Sequence, residues 1–388
     1  SWWCDLGTGR IYAKFPDNEP SGYQVEITTR RGVFRPYLRG LGYITVDGFT
    51  MEYCANQFPD KYWQTDASHL SGLIGTRAGH HWIIRNCIIR RAKSIALSVG
   101  MGGAADNETP KQSPPGTAAV GYNLIENNTF ESNGSGGIQG LGHHDNVISN
   151  NLFRENNALR HKSHEMGCIK FHISYDNLIV NNKFVNNKCM GVWLDNTVKR
   201  TRISRNFIYG SSGPSVSGDG IFLEMTEEGA GNENIIDNNV IIGVERYGIY
   251  THYASYSTIA HNLIMDSGKA GIHLRDLLST RKGNCHDHQI FNNLIFNNQS
   301  PVQIPLDWSD TTFSNGLDHN VYWPPSERFA VTTYSKAEDP KVAILAAIYN
   351  KWQAAGSIAP ELSGNEWELS LIHISEPTRL RRISYAVF

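Results

Sequence analysis

No apolar run in this chain approaches the roughly 18 residues that a membrane-spanning helix needs. Acidic and basic residues almost cancel, 37 against 35, leaving a formal charge of -2. Neither a nucleic-acid nor a membrane partner is therefore expected. The six cysteines (Cys4, Cys54, Cys87, Cys168, Cys189, Cys285) contain no CxxC pair and no zinc-type cluster. Cys87 and Cys168 lie inside apolar strand patterns and read as buried free thiols. Free thiols lean towards a reducing compartment such as a bacterial cytoplasm, with secretion left open. The P-loop, the dinucleotide fingerprint, the nucleophile-elbow serine and the zinc motifs are all missing. Histidines cluster locally at His80–His81, His143–His144, His161 with His164, and His286 with His288. Adjacent residues of a strand point to opposite faces, so no metal site is predicted from these pairs.

What the chain does have is a repeat. NLIENNTF, NVISNNLF, NLIVNNKF, NIIDNNVI, STIAHNLI and QIFNNLIF share one pattern, with WIIRNCII and TRISRNFI as weaker copies. The period is about 23 to 33 residues, with a longer excursion near Gly102–Thr117. Each copy is a short alternating strand, a turn at an Asn pair, and a second short strand. Asn tolerates the left-handed turn conformation and can stack its amide on the copies above and below. One coil cannot bury its apolar face alone, but stacked coils share a core. Leucine-rich repeats would need a Leu scaffold and helices, and propeller blades about 40 residues per unit. The fold class expected is all-β: a right-handed parallel β-helix.

A second strand column follows each turn unit: GGIQGLG, GCIKFHI, MGVWLDN, DGIFLEM, YGIYTHY and AGIHLRD. Strict alternation assigns its faces. Ile138, Ile169, Val192, Ile221, Ile249 and Ile272 point inward, as do Phe171, Leu194, Leu223 and Leu274. One outward row then reads Gln139, Lys170, Trp193, Phe222, Tyr250, His273; the row beside it reads His172, Asp195, Glu224, His252, Arg275. Aromatics beside charges suggest a groove for an oligosaccharide, with ring faces open for stacking.

Asp195 and Glu224 hold the same position on successive coils. Rungs are about 4.8 Å apart, which sets the two carboxyls roughly 5 to 6 Å apart. That spacing matches retaining glycosidases, at about 5 to 5.5 Å, better than inverting ones, at about 6.5 to 9.5 Å. Two close carboxyls resist joint ionisation, so one pKa is expected to rise and serve an acid. The bland alternative for stacked acids is a Ca²⁺ site or a solvated face. The neighbouring Trp193, Phe222 and Tyr250 favour sugar, and no cofactor or metal is predicted.

At these residues the sequence resembles the β-helical β-xylosidases of glycoside hydrolase family 120 and, more loosely, family 141. The shared stretches are GLGYITVDGFTME, SGLIGTRAGHHWIIRNCII, HEMGCIKFH, GVWLD and IFLEM, within residues 40 to 230. The resemblance implies a retaining, exo-acting β-xylosidase that releases xylose from xylo-oligosaccharides. It implies Asp195 as nucleophile and Glu224 as acid/base, with sugar contacts from Glu165, Lys170, His172 and Trp193. Phe222, Tyr250, His252 and Arg275 complete the expected substrate-binding set. Asn196 follows WLD where the family often has an aromatic, and the Gly/Ser-rich loop Gly210–Gly218 lengthens the interval to Glu224. Two rival functions share the fold. A polysaccharide lyase would use Lys170, His172 and Arg275 on a uronate, and a carbohydrate-binding solenoid would need neither carboxyl.

Residues 36–330 are assigned to the β-helix, and residues 1–35 to a β segment or the remnant of a preceding domain. Residues 331–368 are assigned to an extension, with one amphipathic helix over 340–356 capping the open end. The stretch Leu369–Phe388, LSLIHISEPTRLRRISYAVF, reads as translated sequencing-adaptor DNA and is set aside. Oligomeric state is not legible.

Overall fold

The computed structural model describes residues 2–16, 18–56, 72–100, 120–162, 165–214, 218–226, 230–275, 285–304, 316–323 and 330–331. The alternating segments form three parallel sheets of ten strands each, from Thr45–Asp47 to Ala330–Val331. Each coil contributes one strand to each sheet, so every strand pairs with its counterparts one coil earlier and later. The fold is a right-handed parallel β-helix. Ahead of it, Trp2–Asp5 and Arg10–Ala13 make an antiparallel pair outside the three sheets. The helix expected over 340–356 and the 369–388 tail lie outside the described residues.

The Asn pairs divide two tasks that the sequence left merged. The first Asn takes the left-handed turn conformation: Asn127, Asn150, Asn181, Asn238 and Asn292 have φ between 55° and 57°. The second is buried and builds the ladder, in the order Asn128, Asn151, Asn182, Asn206, Asn239, Asn262, Asn293 and Asn320. Asn182 is typical. Its Nδ2 donates to Asn206 Oδ1 at 3.0 Å and to the Ile148 carbonyl at 2.9 Å. Its Oδ1 accepts from Asn151 N at 2.9 Å and Asn151 Nδ2 at 3.0 Å. Shorter ladders run through Asn123, Asn146 and Asn177, and through Asn133, Asn156 and Asn187. These amides satisfy backbone groups at the corners, where no sheet partner reaches them.

The interior is apolar and continuous. The predicted inward residues from Ile138 to Ile272, with Phe171, Leu194, Leu223 and Leu274, are all fully buried. Phe130, Phe153 and Phe184 stack through it at centroid spacings of 4.8 and 4.7 Å. All six cysteines are free and five are buried, Cys4 being the partly exposed one.

Asn182→Ala should cost about 1–3 kcal/mol, because it orphans buried groups on both neighbouring coils. Lys183→Ala, at the next and exposed position, should stay within about 0.5 kcal/mol of the parent. Urea unfolding compares them, and equal effects would deny the ladder its role.

Candidate active site

Parallel register sets the outward rows of one sheet. Lys170 lies opposite Trp193, Trp193 opposite Phe222, and Phe222 opposite Tyr250. In the next row His172 faces Asp195, Asp195 faces Glu224, Glu224 faces His252, and His252 faces Arg275. The two carboxyl-bearing residues thus occupy adjacent rungs of the outer face, away from the apolar interior.

Outward does not mean exposed here. The expectation of an open aromatic groove fails, because Trp193, Phe222 and Tyr250 are only 3–5% exposed. They form their own apolar cluster with Met190 and Tyr247, separate from the interior. Their faces are also taken. Trp193 has the Lys170 ammonium 2.9 Å from its ring centroid on one side and Phe222 at 5.1 Å on the other. Phe222 stacks on Tyr250 at 4.4 Å, and Tyr250 also meets Tyr247 and His273. These rings wall the site rather than offer stacking platforms.

The charged residues form two groups. In the first, Lys170 Nζ lies 2.7 Å from Asp195 Oδ2 and 3.8 Å from Glu165 Oε2. His172 bridges the same two acids, with Nε2 3.1 Å from Glu165 Oε2 and Nδ1 3.5 Å from Asp195 Oδ2. Glu165 precedes its strand, and Gln139 Nε2 fixes it there by donating to its carbonyl at 2.9 Å. In the second group, His252 Nδ1 lies 3.4 Å from Glu224 Oε1. Arg275 Nη1 donates to the Tyr250 hydroxyl at 2.7 Å. Side-chain exposure rises along the row, from 6% at Asp195 to 18% at Glu224. Glu224 is the more exposed of the two carboxyls.

The electrostatics depart from expectation in sign. Burial raises Asp195, with the Glu224 charge adding to it, and the Lys170 and His172 charges oppose this without cancelling it. Burial also pushes Glu224 up, but the His252 hydrogen bond and the Lys170, His252 and His172 charges bring it below the ordinary range. The sequence reading expected one carboxyl to rise and serve as the acid, a role the resemblance gives to Glu224; the raised one is Asp195. Glu165 is held low, its burial outweighed by the Lys170 charge and the His172 hydrogen bond. Asp195 Oδ1, Glu165 Oε1 and Trp193 Nε1 are buried and make no hydrogen bond among the described residues.

Sequence reading missed Asp219 and Arg246. Asp219 is fully buried, accepts from Tyr247 N at 3.1 Å, and has Arg246 Nε 3.6 Å away. Burial pushes its carboxyl up to about 7 against the Arg246 charge. Both residues sit in loops leading into strands, where alternation gives no signal.

Known proteins share this architecture. The family described as a right-handed beta helix region matches residues 71–229. The family described as a periplasmic copper-binding protein, NosD, matches residues 156–326. No three His, Cys, Asp or Glu side chains among the described residues are placed to hold a metal ion, so copper finds no ligand set among them. No curated protein matches the sequence. Among solved structures, the chain is similar to XylC in complex with xylose, with 20% identity and a TM-score of 0.54. That match covers 84% of this chain and 60% of XylC, so the chain spans less than two thirds of XylC. It is also similar to a point mutant of the periplasmic alginate epimerase AlgG, with 17% identity and a TM-score of 0.50. There the match covers 73% of this chain and 69% of AlgG. At such identities the likeness is one of fold.

If the aromatic column is a packed wall, Phe222→Ala should cost about 3–5 kcal/mol, as for an aromatic removed from a core. Denaturant unfolding measures this. A cost near zero would return Phe222 to an open surface.

Proposed function

We propose that this protein is a retaining, exo-acting glycoside hydrolase of the β-xylosidase type, with Asp195 as nucleophile and Glu224 as acid/base. The observation that carries the reading is the register Asp195 opposite Glu224 on an outward row. Adjacent rungs give a carboxyl separation of about 5 Å, the retaining range. Exo action is supported by the exposure gradient: a glycosyl unit held at the closed Asp195 end has room for its leaving group only on the Glu224 side. Asp195 Oδ1, Glu165 Oε1 and Trp193 Nε1, which make no hydrogen bond among the described residues, suit a polyhydroxylated ring, which both donates and accepts. The similarity to XylC, solved with xylose, is consistent with a pentose. A lyase would draw its base and its uronate partner from Lys170, His172 and Arg275, but Lys170 and His172 are engaged with Asp195 and Glu165, and Arg275 donates to the Tyr250 hydroxyl.

The reversed pKa order gives the reaction a defined pH form. Glycosylation needs Asp195 ionised and Glu224 protonated. That tautomer is one of the two singly protonated forms of the coupled pair. The kcat/KM profile is then bell-shaped, its two limbs being the two macroscopic ionisations of the Asp195–Glu224 pair.

Role assignment follows from substitution. Asp195→Ala should abolish turnover of every aryl xyloside. Glu224→Ala should spare glycosylation by substrates with activated leaving groups, and azide should speed its second step and give the retained glycosyl azide. Its pH profile should keep one limb, rising through the Asp195 ionisation. An inverted azide adduct from Glu224→Ala would exchange the two roles, and an active double variant would end the mechanism.

A further inference from the structure

Lys170 is the most deeply buried charge in the site. Its side chain has no exposed surface, and its ammonium is shared among Asp195 Oδ2, Glu165 Oε2 and the Trp193 ring. The two oxygens of Asp195 differ accordingly. Oδ2 is tied to Lys170 at 2.7 Å and lies 3.5 Å from His172. Oδ1 is buried and makes no hydrogen bond among the described residues.

Resting on the reading of Asp195 as nucleophile, we infer that Lys170 is a positioning residue and not a sugar contact. It favours the ionised form of Asp195 through Oδ2, against the burial that raises it, so that Oδ1 is the oxygen that attacks. In the first step Oδ1 forms the bond to the anomeric carbon while the bond from that carbon to the leaving oxygen breaks. The leaving oxygen takes the Glu224 proton, and Asp195 becomes a neutral ester. Lys170 stabilises the anion before the step, and the resulting ester accepts at Oδ2.

The groups facing Asp195 are Lys170 and His172 on the preceding rung, Glu165 ahead of that strand, and Glu224 on the following rung, backed by His252. Lys170 is the nearest cation. Without it, burial and the Glu224 charge act on Asp195 with only His172 opposing. A carboxyl deprived of a cation at contact holds its proton to higher pH.

The test uses the Glu224→Ala background and an activated aryl xyloside, where the single pH limb reports Asp195. Lys170→Met should move that limb upward by about 1 to 3 pH units, with little change in KM. Lys170→Arg, which keeps the charge, should leave the limb near its parent position. An unmoved limb with a raised KM in Lys170→Met would overturn the proposal and make Lys170 a sugar contact. A second measurement needs no activity. Melting temperature at pH 7 should fall in Lys170→Met and recover most of the loss in Lys170→Met/Asp195→Asn, where the carboxylate in contact with Lys170 is gone and Glu165 keeps His172. Losses that simply add would also overturn it. A parent that cleaves no glycoside, but shows the recovery, would fail the glycosidase reading alone and leave the Lys170–Asp195 coupling standing.

Discussion

Every part of the site depends on one constraint, the in-register parallel stacking of successive coils. Because Asp195 pairs with Glu224, and Glu224 with His252, residues about 25 to 30 positions apart in sequence become neighbours at about one rung spacing. The register is enforced in two ways. Inside, a slip of one residue would turn Ile169, Val192 and Ile221 outward and bury charge. At the corners, the amide ladder from Asn128 to Asn320 fixes which coil position lies above which. Loops can lengthen between strands without disturbing the Asp195–Glu224 register, since the rungs and not the loops set it.

Burying the outward face changes its chemistry. In an open groove, mutual repulsion would be the main influence on Asp195 and Glu224, and the rings would be free to stack on sugar. With Asp195 almost enclosed, desolvation becomes the largest influence on it, and the surrounding cations act at close range. The site is accordingly built as a charge network. Lys170 and His172 each serve both Asp195 and Glu165, while His252 attends Glu224. The packed column from Trp193 to Tyr250 walls one flank of this network and keeps its members in fixed positions.

Much of this was legible in the sequence because two short-range signals are strong. Period-two alternation assigned Ile138 to Ile272 inward and Lys170, Trp193, Asp195 and Glu224 outward, and the Asn pairs marked the corners. The burial of the outward row was not legible. Alternation reports direction relative to the solenoid, whereas burial depends on what packs against the row, as Met190 and Tyr247 do on Trp193, Phe222 and Tyr250. The pKa order was missed for the same reason, since a pairwise repulsion between two carboxyls says nothing about which is more enclosed. Asp219 and Arg246 belong to loop segments and leave no trace in the strand pattern.

The central claim, that two carboxyls on adjacent rungs act on a glycosidic bond by double displacement, is tested most directly by the anomer first released. Proton NMR during rapid hydrolysis of an aryl β-xyloside resolves the nascent sugar before it mutarotates. The account predicts β-xylose as the first product, by retention. α-Xylose appearing first would show inversion, require a carboxyl pair wide enough to hold a water, and contradict the adjacent-rung mechanism.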